Sequence, residues 1–123
     1  MKILVVDDSR IMRNIIKNTL TASKKWHFVD YIEAGDGEEA FELLLKGGVD
    51  LLLLDWNMPK LNGIDLVRKL REDLRFHKLP IVMITSEAAK YSVIEAVKAG
   101  VNDYLIKPVS ERSLLDKLER IGV

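Results

Sequence analysis

Four short apolar runs, Ile3–Val6, Leu51–Leu54, Ile81–Ile84 and Tyr104–Ile106, are separated by segments whose apolar residues recur at helical spacing. A chain that passes through a helix between strands returns to the sheet parallel to where it left, with helices on both faces. Leu51–Leu54 is apolar at every position, which suits a central strand covered on both sides. Phe28–Ala34 interleaves Phe28, Val29, Tyr31 and Ile32 with acids and reads as a half-exposed edge strand. The expected architecture is therefore α/β: a five-stranded parallel, doubly wound sheet with five helices.

The helical segments carry their own punctuation. Ser9–Leu20 places Ile11, Ile15, Ile16 and Leu20 at helical spacing, and Glu38–Lys46 ends at Gly47-Gly48. Ile64, Val67, Leu70 and Leu74 mark a third helix after Gly63, and Val93, Ile94 and Val97 a fourth that stops at Gly100. Ser110 is positioned to cap a last helix with Leu114, Leu115, Leu118 and Ile121 inward. No repeat, linker or low-complexity tract interrupts the series, so residues 1–123 read as one domain.

Composition narrows the function classes. Lysine plus arginine equals aspartate plus glutamate, 19 against 19, which argues against nucleic-acid and membrane-surface binding. Cysteine is absent, excluding disulfides, thiolate metal sites and a cysteine nucleophile. Only four apolar residues follow Met1-Lys2 before Asp7, too few for a signal peptide, and no stretch reaches the roughly 20 apolar residues of a membrane span. An intracellular, soluble domain is expected.

Each apolar run ends in a residue suited to phosphate or a hard cation: Asp7-Asp8, Asp55, Thr85 and Lys107-Pro108. In an open parallel sheet these positions share the carboxyl edge, where ligands bind. Each has a local explanation. Asp8 or Ser9 could cap the first helix, Asp55 could begin a turn, Thr85 or Ser86 could cap the fourth helix, and Lys107 could be an exposed strand end. Four strand ends with compatible chemistry are harder to explain locally. Clustered carboxylates repel, and Lys107 offsets only part of their charge, so a divalent cation is implied. An all-oxygen ligand set favours Mg²⁺ over zinc. Asp55, ending the central run, is the best-placed nucleophile for phosphoryl transfer, with Asp7 and Asp8 as metal ligands and with Thr85 and Lys107 on the phosphoryl oxygens.

Val5-Val6-Asp7-Asp8-Ser9, Asp55-Trp56-Asn57-Met58-Pro59, Asn62-Gly63, Ile84-Thr85 and Tyr104 before Lys107-Pro108 together resemble a response-regulator receiver domain over the whole chain. The resemblance implies a flavodoxin-like strand order 2-1-3-4-5 and a cytoplasmic monomer in a two-component system. Asp55 would take a phosphoryl group from a histidine kinase. Asp8, Asp55 and the Asn57 carbonyl would bind Mg²⁺, with Asp7 assisting through water, and the Lys107-Pro108 bond would be cis. Asn57 and Glu87 would tune hydrolysis of a short-lived phosphoryl group. Asp-Trp-Asn-Met-Pro, Ser9–Leu20 and Thr85–Tyr91 are most similar to single-domain chemotaxis regulators that act on the flagellar motor. In such proteins Tyr104 would move inward with Thr85 on activation. Lys90, Tyr91, Val93, Tyr104 and Lys117 would form the partner face, which suits a short acidic, amphipathic segment such as that of a flagellar switch protein. Val109, in place of the phenylalanine common after Lys-Pro, and Tyr91, in place of a charged residue, depart from that pattern.

Three other readings compete. Gly35-Asp36-Gly37-Glu38-Glu39-Ala40 fits a dinucleotide fingerprint, but Glu38 and Glu39 would repel a pyrophosphate. Asp36 and Glu39 are better explained as a capping box. An aspartyl-phosphate phosphatase would resemble Asp-x-Asp rather than adjacent Asp7-Asp8. A receiver belonging to a transcriptional or other effector regulator would need a further domain, and none follows Val123 in this sequence.

Overall fold

The computed structural model describes residues 1–123. Strands β1 (Lys2–Val6), β2 (Asp30–Ala34), β3 (Leu51–Leu54), β4 (Ile81–Thr85) and β5 (Asp103–Ile106) alternate with five helices. These are α1 (Arg10–Thr21), α2 (Gly37–Leu45), α3 (Gly63–Arg71), α4 (Lys90–Ala99) and α5 (Glu111–Arg120). All strand pairs are parallel, in the order β2-β1-β3-β4-β5. The chain therefore reverses its direction of travel across the sheet after β2, and the loops following β1 and β3 flank the resulting crevice. No helix is long and apolar enough to cross a membrane.

Strand alternation divides the leucine run between two cores. Leu52 and Leu54 join Leu4 and Val6 against α2, α3 and α4, whereas Leu51 and Leu53 join Ile3 and Val5 against α1 and α5. Each fully buried leucine contributes roughly 1.5–3 kcal/mol relative to exposure, as an upper bound. Both faces of β3 are thus occupied, which explains why no polar residue interrupts it.

The helix starts follow local chemistry. Ser9, Asp36, Asn62 and Ser110 accept hydrogen bonds from the backbone N–H groups of Met12, Glu39, Asp65 and Ser113. Each such cap contributes about 1 kcal/mol. The capping role expected for Asp36 is therefore present. α4 starts differently: Ala89 occupies its N-cap and offers no side-chain bond, so neither Thr85 nor Ser86 caps it. Gly100 ends α4 at φ 119°, a left-handed conformation that favours glycine.

Four apolar placements differ from the sequence expectation. Phe28 lies in a turn before β2 and is 93% exposed, and Leu74 belongs to a short 3₁₀ turn (Leu74–Phe76) and is 86% exposed. On α1, Ile16 and Leu20 are buried while Ile11 and Ile15 face outward. On α4 the buried residues are Ser92 and Ala96, leaving Ile94 and Val97 outside. Phe28 and Leu74 lie in turns outside the five strands and five helices, and on α1 and α4 the cause is shared. Periodicity identifies a stripe, but the rotation of that stripe toward the sheet is set by which residues fit the gap, and small Ser92 and Ala96 fit it.

Candidate functional site

The carboxyl ends of β1, β3, β4 and β5 bring together the expected residues. Carboxylate oxygens of Asp7, Asp8 and Asp55 lie within 4.8 Å of one another. Asp7 and Asp55 are buried and Asp8 is exposed, so the cluster is open to solvent on one side. The Lys107 ammonium bridges Asp7 Oδ2 at 2.8 Å and Asp55 Oδ2 at 3.1 Å. Asp55 Oδ1 accepts from the Trp56 N–H at 2.7 Å, and Asp7 Oδ1 accepts from the Ser9 N–H at 2.9 Å.

The local explanations can now be separated. Ser9, not Asp8, caps α1, and Asn62 caps α3, so neither Asp8 nor Asp55 is needed for a helix start. Lys107 is not a free strand end, because it is held between two carboxylates. The backbone at Asp55 is held by close packing. A Cβ on Gly63 would meet the Asp55 carbonyl oxygen at 2.1 Å, and the Gly63 N–H donates to the Trp56 carbonyl at 2.8 Å. Only glycine allows α3 to start this close to the strand end.

Charge is not balanced here. Three carboxylates face one ammonium, and two carboxylates at such a separation repel by roughly 3–4 kcal/mol at an effective dielectric near 20. Burial pushes the Asp7 carboxyl above the ordinary carboxylate range, and hydrogen bonds from Lys107 and the Ser9 N–H offset this only in part. At Lys107 burial opposes the charged form, but hydrogen bonds to Asp7 and Asp55 outweigh it and hold the ammonium above its usual range. The remaining negative charge and the all-oxygen donor set fit a hard divalent cation.

A second group of residues connects this cluster to the α4 side. Thr85 is fully buried, its hydroxyl accepts from the Glu87 N–H at 3.3 Å, and its carbonyl accepts from the Lys107 N–H at 2.9 Å. The Asn57 side-chain amide donates to Glu87 Oε1 at 3.1 Å, so the two residues expected to tune hydrolysis touch across the mouth of the site. Tyr104 is buried, and its hydroxyl donates to the Glu87 carbonyl at 2.6 Å. Burial, with lesser contributions from Glu87 and Asp55, pushes its phenol up to about 12. The Lys107-Pro108 peptide is cis.

Of the partner-face residues, Lys90 is exposed, Tyr91 is 74% exposed, and Val93 packs partly against the core. Lys117 is half-buried and paired with Asp103 at 3.2 Å. Ile94, Val97 and Ile106 add apolar surface there, and Val109 packs inward near α5. Arg13 is the residue that sequence reasoning missed. It donates to the Asp7 carbonyl at 2.5 Å and to Glu33 at 3.0 Å. Its signal was a charged residue on the sheet-facing side of α1, between Met12 and Ile16.

This fold and this acidic crevice are those of a phosphorylation-dependent signalling module. The chain belongs to the response regulator receiver domain family, which matches residues 3–119. It is 52% identical to the chemotaxis protein CheY1 of Helicobacter pylori, over 97% of this chain and 94% of that one. It is 47% identical to the chemotaxis protein CheY of Pseudomonas aeruginosa, over 98% of this chain and 95% of that one. The solved structure of the chemotaxis response regulator CheY4 of Vibrio cholerae matches with a TM-score of 0.86 at 31% identity, covering 98% and 97% of the two chains. The chain is accordingly a CheY-like response regulator of a two-component system, a signalling protein.

Proposed function

We propose that Asp55 is the phosphoacceptor of a single-domain, cytoplasmic switch spanning residues 1–123 and acting as a monomer. The observation that carries this reading is the unbalanced acidic cluster at the carboxyl edge, with one ammonium shared by Asp7 and Asp55. A carboxylate oxygen of Asp55 attacks the phosphorus of a kinase phosphohistidine. The P–N bond breaks, an acyl phosphate forms, and the released imidazole takes up a proton. Asp8, Asp55 and the Asn57 carbonyl would hold Mg²⁺, with Asp7 assisting through water. When bound, that cation offsets charge on the phosphoryl oxygens. Lys107 neutralises another oxygen, and the Thr85 hydroxyl turns from the Glu87 N–H to donate to a third.

The protein catalyses only its own phosphorylation and dephosphorylation. In the second step water attacks phosphorus, the P–O bond to Asp55 breaks, and orthophosphate leaves. The Asn57–Glu87 contact lies where it can orient that water, consistent with a phosphoryl lifetime of seconds to minutes. Output would run through the α4–β5–α5 face. Tyr104 and Thr85 both engage the Glu87 segment, so a shift of Thr85 toward the phosphoryl group changes the seat of Tyr104 and biases an existing equilibrium. Tyr91, Ile94, Val97 and Ile106 supply the apolar part of that face, and Lys90 a cation, suited to an acidic amphipathic segment of a flagellar switch protein.

The test has two arms. Acetyl phosphate with Mg²⁺ should add the mass of one phosphoryl group, located at Asp55 after borohydride trapping. Beryllofluoride should raise affinity for a flagellar switch peptide in wild type and much less in Tyr104→Ala. Labelling elsewhere rejects the acceptor, and unchanged affinity rejects the output face.

A further inference from the structure

We infer that Arg13 is a positioning residue for the acidic pair after β1, fixing the peptide between Asp7 and Asp8 so that both side chains address one cation. This rests on the metal site proposed above. Arg13 lies on α1 with its side chain only 16% exposed. Its Nη1 donates to the Asp7 carbonyl at 2.5 Å, and its Nε donates to Glu33 Oε1 at 3.0 Å. Glu33 is itself oriented: its Oε2 accepts from Lys17 at 2.9 Å, and it pairs in register with Val5, two residues before Asp7. Hydrogen bonds from Lys17 and Arg13 hold the Glu33 carboxyl below its ordinary range, so it is a dependable anion.

The consequence follows from peptide planarity. The Asp7 carbonyl and the Asp8 N–H belong to one rigid plane. Pinning the Asp7 oxygen therefore fixes the position of the Asp8 Cα, leaving only rotation about its own bonds to aim the Asp8 carboxylate. The other side of Asp7 is already fixed, because its N–H donates to the Ala34 carbonyl at 3.2 Å. The planar guanidinium supplies two donors in a fixed fork, one for each partner, whereas the three donors of an ammonium radiate from one atom and hold no fixed plane. Asp8 is exposed and is not one of the carboxylates held by Lys107, so its aim depends on the backbone.

Two simpler roles for Arg13 make different predictions. If it only supplied charge, removing a cation beside a metal site would tighten metal binding. If it only clamped α1 to β2, its loss would lower stability and leave metal affinity unaltered in the folded protein. The positioning role requires weaker binding, opposite in sign to the charge effect.

Mg²⁺ titrations should follow Trp56 fluorescence, with calorimetry as a second readout, in wild type, Arg13→Gln, Arg13→Lys and Arg10→Gln. Both Arg13 variants should raise the Mg²⁺ Kd by roughly tenfold, the size expected when a group orienting a metal ligand is lost. Arg10→Gln removes the same charge from the same helix at an exposed residue outside the Lys17–Glu33–Arg13 relay, and its Kd should stay within about twofold of wild type. If Arg13→Gln folds poorly, Arg13→Lys carries the test. A Kd at or below the wild-type value in the folded Arg13 variants overturns the assignment. Failure of wild type to bind Mg²⁺ would instead reject the metal site itself, so the two failures are distinguishable.

Discussion

The two edges of the sheet satisfy their polar groups in opposite ways. At the amino edge the polar groups pair mostly within the protein, Asp103 Oδ2 alone being buried without a hydrogen-bond partner. Arg71 donates to the Phe76 carbonyl at 2.7 Å, the Gly100 carbonyl at 3.0 Å and Asn102 Oδ1 at 3.0 Å. Asn102 Oδ1 also accepts from the Ile81 N–H at 2.8 Å, and Lys2 and Asp50 exchange backbone and side-chain bonds. At the carboxyl edge one ammonium serves two of three clustered carboxylates, and the Thr85 hydroxyl and Asn57 side chain are held by single contacts that a ligand could replace. One edge closes the fold, and the other retains a charge imbalance that a cation and a phosphoryl group can relieve. Stability and reactivity are therefore separable by mutation.

The largest effect should come from Asp55→Asn, which leaves no carboxylate to attack phosphorus. Mass spectrometry after acetyl phosphate treatment should find no phosphoryl group at that position, while denaturant midpoints shift little. Phosphorylation at residue 55 in that variant would break the comparison at its reactive end.

Arg71→Ala should do the reverse. The backbone carbonyls of Phe76, His77 and Gly100 and the Asn102 side chain lose their donor, and a cost on the order of 2–3 kcal/mol is expected. Urea unfolding measures it, and the phosphorylation rate of the folded variant should stay near that of wild type. A slowed rate with unchanged stability would show that the edges are not independent.

A smaller effect is expected from relieving repulsion without metal. In chelator, Asp7→Asn and Asp8→Asn should each melt about 2–4 °C above wild type. Burial raises the folded-state pKa of Asp7 above its unfolded value. The cost of ionising it is absent below the unfolded pKa and complete once pH passes the folded one. Metal-free wild type should thus lose stability as pH rises through that acidic window, and Asp7→Asn should lose less. Saturating Mg²⁺ should reverse the order at neutral pH. Equal melting temperatures with and without Mg²⁺ in wild type would remove the cation from the account.

The smallest changes should come from Phe28→Ser and Leu74→Gln, each within about 0.5 kcal/mol of wild type, because both side chains are exposed. A loss near the 3 kcal/mol typical of a core truncation would restore them to the core.

Much of this protein was legible in its sequence because the responsible interactions are local or periodic. Leu51–Leu54 announced a strand covered on both faces, Ser9, Asp36 and Ser110 marked helix starts, and Gly100 marked a helix end. Strand-end placement alone predicted that Asp7, Asp8, Asp55, Thr85 and Lys107 would converge, since parallel strands bring their carboxyl ends to one edge. Their joint spacing carried the family resemblance, and with it the strand order that periodicity could not supply.

Tertiary packing decided the rest. Whether Ile11, Ile94 and Val97 face the sheet or solvent depends on the rotation of each helix, which is set by the shape of the gap beneath it. The pairing of Lys117 with Asp103, on a different element, is set by packing and not by local sequence. Arg13 had no meaning as one charge among many, because its role depends on Asp7 in one strand end and Glu33 in another strand. Local sequence encodes which backbone groups need partners and which faces are apolar. It does not encode the distances between side chains from separate elements, and those distances determine which charges are paired and which remain available for chemistry.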